Sequence, residues 1–510
     1  MYKKNKIMSF LLVIIFMLYS LFTSKMSAYA EGENVNMNEI SVTTNPETNE
    51  IKSGEFWYDN NGDKIQAHGG DMIKVGDTYY MIGEDKSHDK STFKNVAMYT
   101  SKDLTNWTFD KYILTPTSFG TNGKQDTELV SCKIERPKIL YNEKTKKYVM
   151  WMHYENAMNY NLARVAVATS DTIDGDYVYE GSFRPNNNDS RDMTVFKDDN
   201  GSAYLFSSSS VNKVMRTYKL TEDYLSIASE LNMVYDGTTT SYREAPVIAK
   251  NDGIYYLITS AATGWYPNQA MYSTATSIEG PWSTPKNLGN SSTFYSQSAF
   301  IATIQGTEET SYIMCSDRWV SSKLGDSTYV WMPLTLDGTS ASMEYYDRYK
   351  IDINTGVITI PETSTLISQG KPSTASNVAV GSSAGNANDG NYNTNWLTTG
   401  SSGNWPAWWK VDLGGRYELN NVQISWFLYK GSEAYYKYRI WVSYDDVNYT
   451  LALDRMDNTT YGFTSDMLSS IKGRYVKIDM QSAVPFNNPT NNWYTPQLWE
   501  VKVFGNKLND

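Results

Sequence analysis

Histidine and cysteine are nearly missing from this chain of 510 residues, which holds three of the first and two of the second. Zinc and iron–sulfur sites are built from clustered Cys and His. His68, His88 and His153 are scattered, and Cys132 and Cys315 lie far apart, so those chemistries are set aside. Two cysteines do not make a disulfide scaffold, and their positions leave open whether they pair. Basic residues are also short: 45 Lys and Arg against 56 Asp and Glu give a net charge of −11. Nucleic-acid partners, whose phosphates need a basic surface, are therefore not expected. The chain has no P-loop, no dinucleotide fingerprint after a strand and no HExxH. Its one GxSxG match, Gly381 to Gly385, lies in a Ser/Gly/Asn-rich stretch with no histidine after position 153, so it is not read as a nucleophile elbow.

What the chain has instead is 40 Tyr and 15 Trp. That content excludes disorder for most of the length and favours strands. Tyr and Trp also stack on flat neutral faces, sugar rings among them. At the N-terminus, Lys3, Lys4 and Lys6 precede an apolar run from Phe10 to Phe22 and a small-x-small site at Ala28-Tyr29-Ala30. Residues 1–30 read as a cleaved signal peptide, the run being short for a membrane span. Cleavage removes four lysines and no acid and deepens the charge to −15. The product is expected to be secreted and extracellular, monomeric, and without a membrane partner after cleavage.

Residues 31–53 form a polar leader. From Gly54 onward, short β-runs alternate with Gly, Asn and Asp turns, and long helical periodicity is absent. Five segments share one form, a Tyr opening a short apolar strand: GDTYYMIG, KKYVMWM, GSAYLFSS, GIYYLITS and TSYIMCSD. Their anchors Tyr80, Tyr148, Tyr204, Tyr256 and Tyr312 are spaced by 68, 56, 52 and 56 residues. A four-stranded blade with its loops takes about 40–50 residues, so the fold class is all-β, with a five-bladed β-propeller over 54–360. A distinctive polar residue precedes each anchor by 12 to 15 residues: His68, Glu135, Asp192, Glu244 and Gln297. Equal offsets in equal blades bring these side chains to one end of the central pocket, and three of them are carboxylic acids. A composition change after Ile351 introduces a second β-pattern over 368–507, the length of one β-sandwich.

Convergent carboxylates in a His-poor, aromatic-rich pocket suggest glycoside hydrolysis, which needs an acid for the leaving oxygen and, with inversion, a group that activates water on the opposite ring face. At this point the residues carry a family resemblance. AHGGDMIKVGDTYYMIGE, IERPKILYNEKTKKYVMWMH, SRDMTVF, SYREAPVIAKNDGIYYLITSAATGWYPN, STFYSQSAFI and MCSDRW, spread over about 54–340, resemble family 43 glycoside hydrolases, and most of all their exo-β-1,3-galactanase branch. NDGNYNTNW, WWKVDLG, GRYVKI and WEVKVFG resemble a discoidin-like (factor 5/8 type C) carbohydrate-binding module, a jelly-roll β-sandwich.

The resemblance implies a secreted, inverting exo-β-1,3-galactanase acting on β-1,3-galactan of arabinogalactans, without a catalytic cofactor. It implies Glu244 as general acid with a raised pKa, Asp192 as the residue that tunes the acid, and Glu135 as a sugar ligand. Most of the clan places an Asp base in the first blade. Here His68, Gly69 and Gly70 hold that phase, and Gln297 is implied to position or activate water. Glu84, Tyr160, Thr263 and Trp265 are implied substrate contacts, His68 either contacts the substrate sugar or caps its blade, and His88, His153, Arg318 and Trp319 are read as structural. In the module, Asp389, Thr394 and Glu500 are implied ligands of a structural Ca²⁺. Trp405, Trp408, Trp493 and Trp499 are sugar-platform candidates, with Trp408 and Trp409 read rather as core. Two alternatives stay open: another family 43 activity, arabinofuranosidase or β-xylosidase, and a glycan-binding adhesin that has lost catalysis.

Overall fold

The computed structural model describes residues 49–510 apart from 239, 241, 362–364, 400–403, 429–433, 486–494 and 510. The expected signal peptide, nearly all of the leader, and Trp493 lie outside the described residues. The fold is all-β, a β-propeller followed by a β-sandwich sheet.

Each Tyr anchor lies on the second strand of a four-stranded antiparallel sheet. The first two strands of these sheets are His68–Val75 with Thr78–Glu84, Cys132–Asn142 with Lys147–Asn156, Met193–Lys197 with Ala203–Ser209, Arg243–Asn251 with Ile254–Ala261, and Gln297–Gln305 with Thr310–Arg318. The first strands pack in ring order, the fifth sheet's against the first's. Between neighbouring sheets lies apolar filling. Ile82 and Met98 meet Ile139 and Met150, and Val149 and Trp151 meet Val195 and Leu205. Met81 and Tyr99 meet Phe300 and Trp331 where the ring closes. Tyr hydroxyls staple the fourth and fifth sheets: Tyr256 donates to the Gly338 carbonyl at 2.5 Å and Tyr312 to that of Lys250 at 3.1 Å.

Among the described residues six sheets, not the expected five, precede the sandwich. The sixth has three short strands, Ile51–Lys52, Arg348–Ile351 and Ile358–Thr359. Ile51, Tyr349 and Ile358 join the cluster at the ring's closing seam. A repeat search misses this sheet because its strands come from both ends of the domain and carry no Tyr-strand signature. It also draws the end of the expected leader into the fold. Cys132 and Cys315 are buried free thiols and do not pair.

The last sheet has seven strands, among them Ala407–Trp426, Ala434–Ser443, Phe463–Pro485 and Gln497–Lys507, over a core that includes Trp396, Trp409, Trp426 and Tyr436. It packs on the propeller: Phe463 joins the cluster of Phe294, Tyr345 and Met343, and the Asp347 carboxylate accepts from the Ser465 hydroxyl at 2.8 Å and the Asn421 amide at 2.9 Å.

A shared irregularity aims side chains at the axis. The register shifts between His68 and Asp71, Glu135 and Lys138, Glu244 and Val247, and Ser298 and Phe300. Such bulges re-aim a side chain and recur beside active sites. In three of them the residue after the axial one is left-handed: Gly69 (φ 59°), Arg136 (φ 52°) and Ala245 (φ 49°). In the first sheet the chain passes so closely that a Cβ on Gly83 would lie 2.1 Å from the Ala67 carbonyl carbon. Gly83→Ala is therefore expected to cost about 1–3 kcal/mol of stability, as overpacking does. An unchanged Tm would contradict this close approach.

Candidate active site

At one end of the ring a cavity of about 310 Å³ is lined by Glu84, Glu135, Asp192, Glu244 and Gln297 among others. Four of the five axial positions thus meet here, with Glu84 as a further acid. The fifth, His68, does not line the cavity. It is fully buried, stacked 5.0 Å from Tyr329 and paired through Nδ1 with Asp317 at 2.9 Å. The expectation that it contacts substrate is corrected. The place a side chain at position 69 would take is filled by its neighbour: a Cβ on Gly69 would sit 2.4 Å from Glu84 Oε1. Glu84, paired with His68 in register, thus supplies a carboxyl where the first sheet's axial position has none.

Arg136 ties the group together. Its Nε lies 2.7 Å from Asp192 Oδ2, Nη2 donates to Gln297 Oε1 at 2.8 Å, and Nη1 donates to the Ser298 carbonyl at 2.8 Å. Its left-handed backbone turns its own N–H onto Glu84 Oε1 at 2.9 Å. The other oxygen of Glu84 pairs with Lys86 at 2.6 Å. Burial raises the Glu84 pKa against the pull of Lys86.

Glu244 and Glu135 have opposite surroundings. Glu244 accepts from Gln297 Nε2 at 3.0 Å and Asn212 Nδ2 at 3.1 Å, and Asp192 is held beside it by the Ala245 N–H at 3.0 Å. Burial, helped by the Asp192 charge, pushes its pKa up to about 8. Burial works the same way on Glu135, but the His153 imidazole at 3.2 Å, the Lys86 charge and the Tyr160 hydroxyl at 2.7 Å outweigh it and bring the carboxyl down to about 2. His153, against burial, is raised to about 9 by Glu135 and Glu155. At neutral pH the site thus holds a protonated Glu244 and an ionised Glu135.

Trp265, 39% exposed, and Trp319 form an aromatic wall, edge to face at 5.4 Å. Thr263 does not line the cavity. Its hydroxyl donates to the Tyr266 carbonyl and accepts from Asn268, which braces the loop that carries Trp265. Arg136, His153, Asn212 and Trp319 are site residues that sequence reasoning missed or read as structural. Arg136 and Trp319 follow signature residues directly, in ERPK and SDRW, whereas nothing local marks Asn212.

Gln297 is reached through a turn in which Thr293, Phe294 and Tyr295 are all left-handed (φ 51°, 53° and 59°). Such residues cost on the order of 1–3 kcal/mol each and persist only where the surroundings over-determine them.

In the sandwich the three expected metal ligands come together. Thr394 Oγ1 donates to Asp389 Oδ2 at 2.7 Å, and Glu500 Oε1 accepts from the Gly390 N–H at 3.2 Å. Glu500 Oε2 is buried without a hydrogen-bond partner, and burial raises the Glu500 pKa to about 8. An orphaned carboxylate oxygen beside further oxygen donors fits a hard cation. Trp409 is core, Trp408 is half-buried beneath Lys410, and Trp499 stacks on Phe427.

A propeller whose axial carboxyls differ so widely in proton affinity, facing an aromatic-walled cavity, defines a glycosidase-type site. The chain belongs to glycosyl hydrolases family 43, whose family model matches residues 65–321. Residues 386–478 match the NedA-like, galactose-binding domain of the F5/F8 type C group. An exo-β-1,3-galactanase of Phanerochaete chrysosporium, solved with β-1,3-galactotriose, is 30% identical, covers 89% of this chain and 100% of its own, and has a TM-score of 0.61. An exo-β-1,3-galactanase of Clostridium thermocellum is 32% identical, covers 85% and 100%, and has a TM-score of 0.60. A xylan 1,3-β-xylosidase of a Vibrio species is 26% identical over 202 residues, and that match spans 37% of this chain and only 35% of the relative.

The raised pKa of Glu244 makes a stability prediction with a definite sign. Between the ordinary value of 4.5 and about 8, the unfolded chain ionises this carboxyl while the folded chain keeps it protonated. Stability present below 4.5 is therefore lost as pH rises through the folded value. Glu244→Gln does not titrate, so its Tm relative to the parent should climb from pH 4.5 to pH 8. A pH-independent difference would contradict the assignment.

Proposed function

We propose that this protein is a secreted, inverting exo-β-1,3-galactanase that releases galactose from β-1,3-galactan of arabinogalactans. The observation that carries this reading is Glu244, protonated at neutral pH and facing a small cavity walled by Trp265 and Trp319. Galactanase relatives matched along their whole length support the substrate. Ligand pockets run to about 300–1,000 Å³, and one at the lower end suits a single terminal sugar, hence exo action. The signal-like N-terminus supports secretion.

In this reading Glu244 protonates the leaving oxygen, and Asp192, whose charge helps keep the proton on it, also orients the sugar. Glu135, with Tyr160 and Glu84, holds hydroxyls of the terminal galactose, and Trp265 covers one ring face. Gln297 has a tighter part than the sequence suggests. Both N–H groups are engaged, with Glu244 and Ser260, and Oε1 already accepts from Arg136 and Trp319. An imidic tautomer would set an O–H against those two donors. Gln297 therefore positions Glu244, and it places water only where that water replaces the Trp319 indole on Oε1. The cation site of the sandwich is read as structural Ca²⁺ held by Asp389, Thr394 and Glu500.

Galactose release from β-1,3-galactan, beside arabinan and xylan and followed by NMR of the first anomer, tests the reading. The α-anomer from galactan alone is expected. Release from xylan or arabinan would favour another activity of the family, and binding without release would favour an adhesin. Glu244→Gln should lose about 10²–10⁴-fold in kcat, the usual worth of a general acid. The rate should fall as pH rises through about 8, where Glu244 loses its proton. Turnover that survives Gln297→Ala would remove that residue from the mechanism. Chelation should lower the Tm of the parent, and Glu500→Gln should abolish the difference. A parent indifferent to both chelator and added Ca²⁺ would refute the cation site.

A further inference from the structure

The left-handed turn that delivers Gln297 is held from two sides, the propeller and the sandwich. Phe294, at its centre, is fully buried with its ring 5.2 Å from Phe463 and 5.7 Å from Tyr392, both on the sandwich. Asn290 Oδ1 accepts the Phe294 N–H at 2.5 Å, and its amide donates to the sandwich's Ser425 hydroxyl at 3.1 Å. At Gly462 the sandwich backbone comes so near that a Cβ would lie 2.7 Å from the Ser292 Cβ. From the propeller side, Arg318 donates to the carbonyls of Phe294 and Tyr295, both at 3.0 Å, and the Thr293 hydroxyl donates to the Asn268 carbonyl at 2.7 Å. That last bond links the turn to the loop bearing Trp265, whose Tyr266 meets Tyr461 of the sandwich at 6.0 Å.

We propose that the C-terminal sandwich is a working part of the active site, in which Phe463, Tyr392 and Ser425 hold the turn Thr293–Tyr295 and thereby fix Gln297 against Glu244. These three are positioning residues and touch no substrate. The proposal rests on the reading of Glu244 and Gln297 given above. It differs from a glycan-tethering role for the module in one respect: it affects substrates too small to reach the sandwich.

The test uses the full-length chain and an aryl β-galactoside, which fills only the propeller cavity. Phe463→Ala is expected to lower kcat by about ten- to a hundredfold, the range seen when distant changes misplace a reacting group. KM should move little. Burial raises the Glu244 pKa and the Gln297 hydrogen bond works against it, so loosening Gln297 should also shift the alkaline limb of kcat upward in pH. A general loss of folded protein scales the rate without moving that limb. Phe463→Leu should restore most of the rate. If Phe463→Ala does not fold, Ser425→Ala removes only the hydroxyl that receives the Asn290 amide and should show the same shift, smaller in size. A folded Phe463→Ala or Ser425→Ala enzyme with parental kcat and parental pH profile overturns the proposal. Glu244→Gln, run beside them, separates the two claims. If it keeps its turnover, the acid assignment fails; if it is inactive while the sandwich variants are normal, only the buttress fails.

Discussion

Everything at the axis depends on one buried guanidinium. Arg136 sits on the second sheet and reaches a carboxylate before the third, an amide and a carbonyl on the fifth and, through its own N–H, a carboxylate from the first. Gln297 extends that reach to Glu244 on the fourth. A buried cation is tolerated only when paired and hydrogen-bonded, and a cluster of buried acids only when a cation offsets part of their repulsion. Each condition meets the other here. The planar fork of Arg can bind several oxygens in fixed directions, which a Lys ammonium cannot.

That constraint divides the protons. Glu135 lies against His153 and Lys86 and stays ionised, whereas Glu244 faces Asp192 and has only amides as donors, so it keeps its proton. Two carboxyls of one repeat phase thus take opposite charge states because their neighbours differ. The arrangement is costly for the fold, since a carboxyl kept protonated near neutrality is one the folded state holds at a disadvantage as pH rises.

The sequence exposes the repeat clearly because the Tyr anchors recur, and with it the phase that brings Glu135, Asp192, Glu244 and Gln297 together. It is silent where geometry depends on a backbone irregularity. The bulge that makes Arg136 left-handed, the glycine at 69 that leaves room for the Glu84 carboxyl, and the burial of His68 against Tyr329 accompany register shifts of one residue, which no periodicity encodes. The sixth sheet is hidden for another reason: its strands come from the two ends of the domain. Likewise, nothing local in the sequence marks Phe294, and only the packed sandwich shows that it anchors the turn before Gln297.

The central claim is that Glu244 is the protonated acid of this site, and its carboxyl can be observed directly. Infrared difference spectra of the protonated carboxyl stretch, recorded from about pH 5 to pH 10, span the range over which a strongly shifted glutamate would titrate. In a Glu500→Gln background, which removes the other carboxyl raised to about 8, the account predicts a band that disappears with a midpoint near pH 8 and is lost once Glu244→Gln is added. A parent protein with no carboxyl titrating above about pH 6, outside the spread of ordinary glutamates, would contradict it.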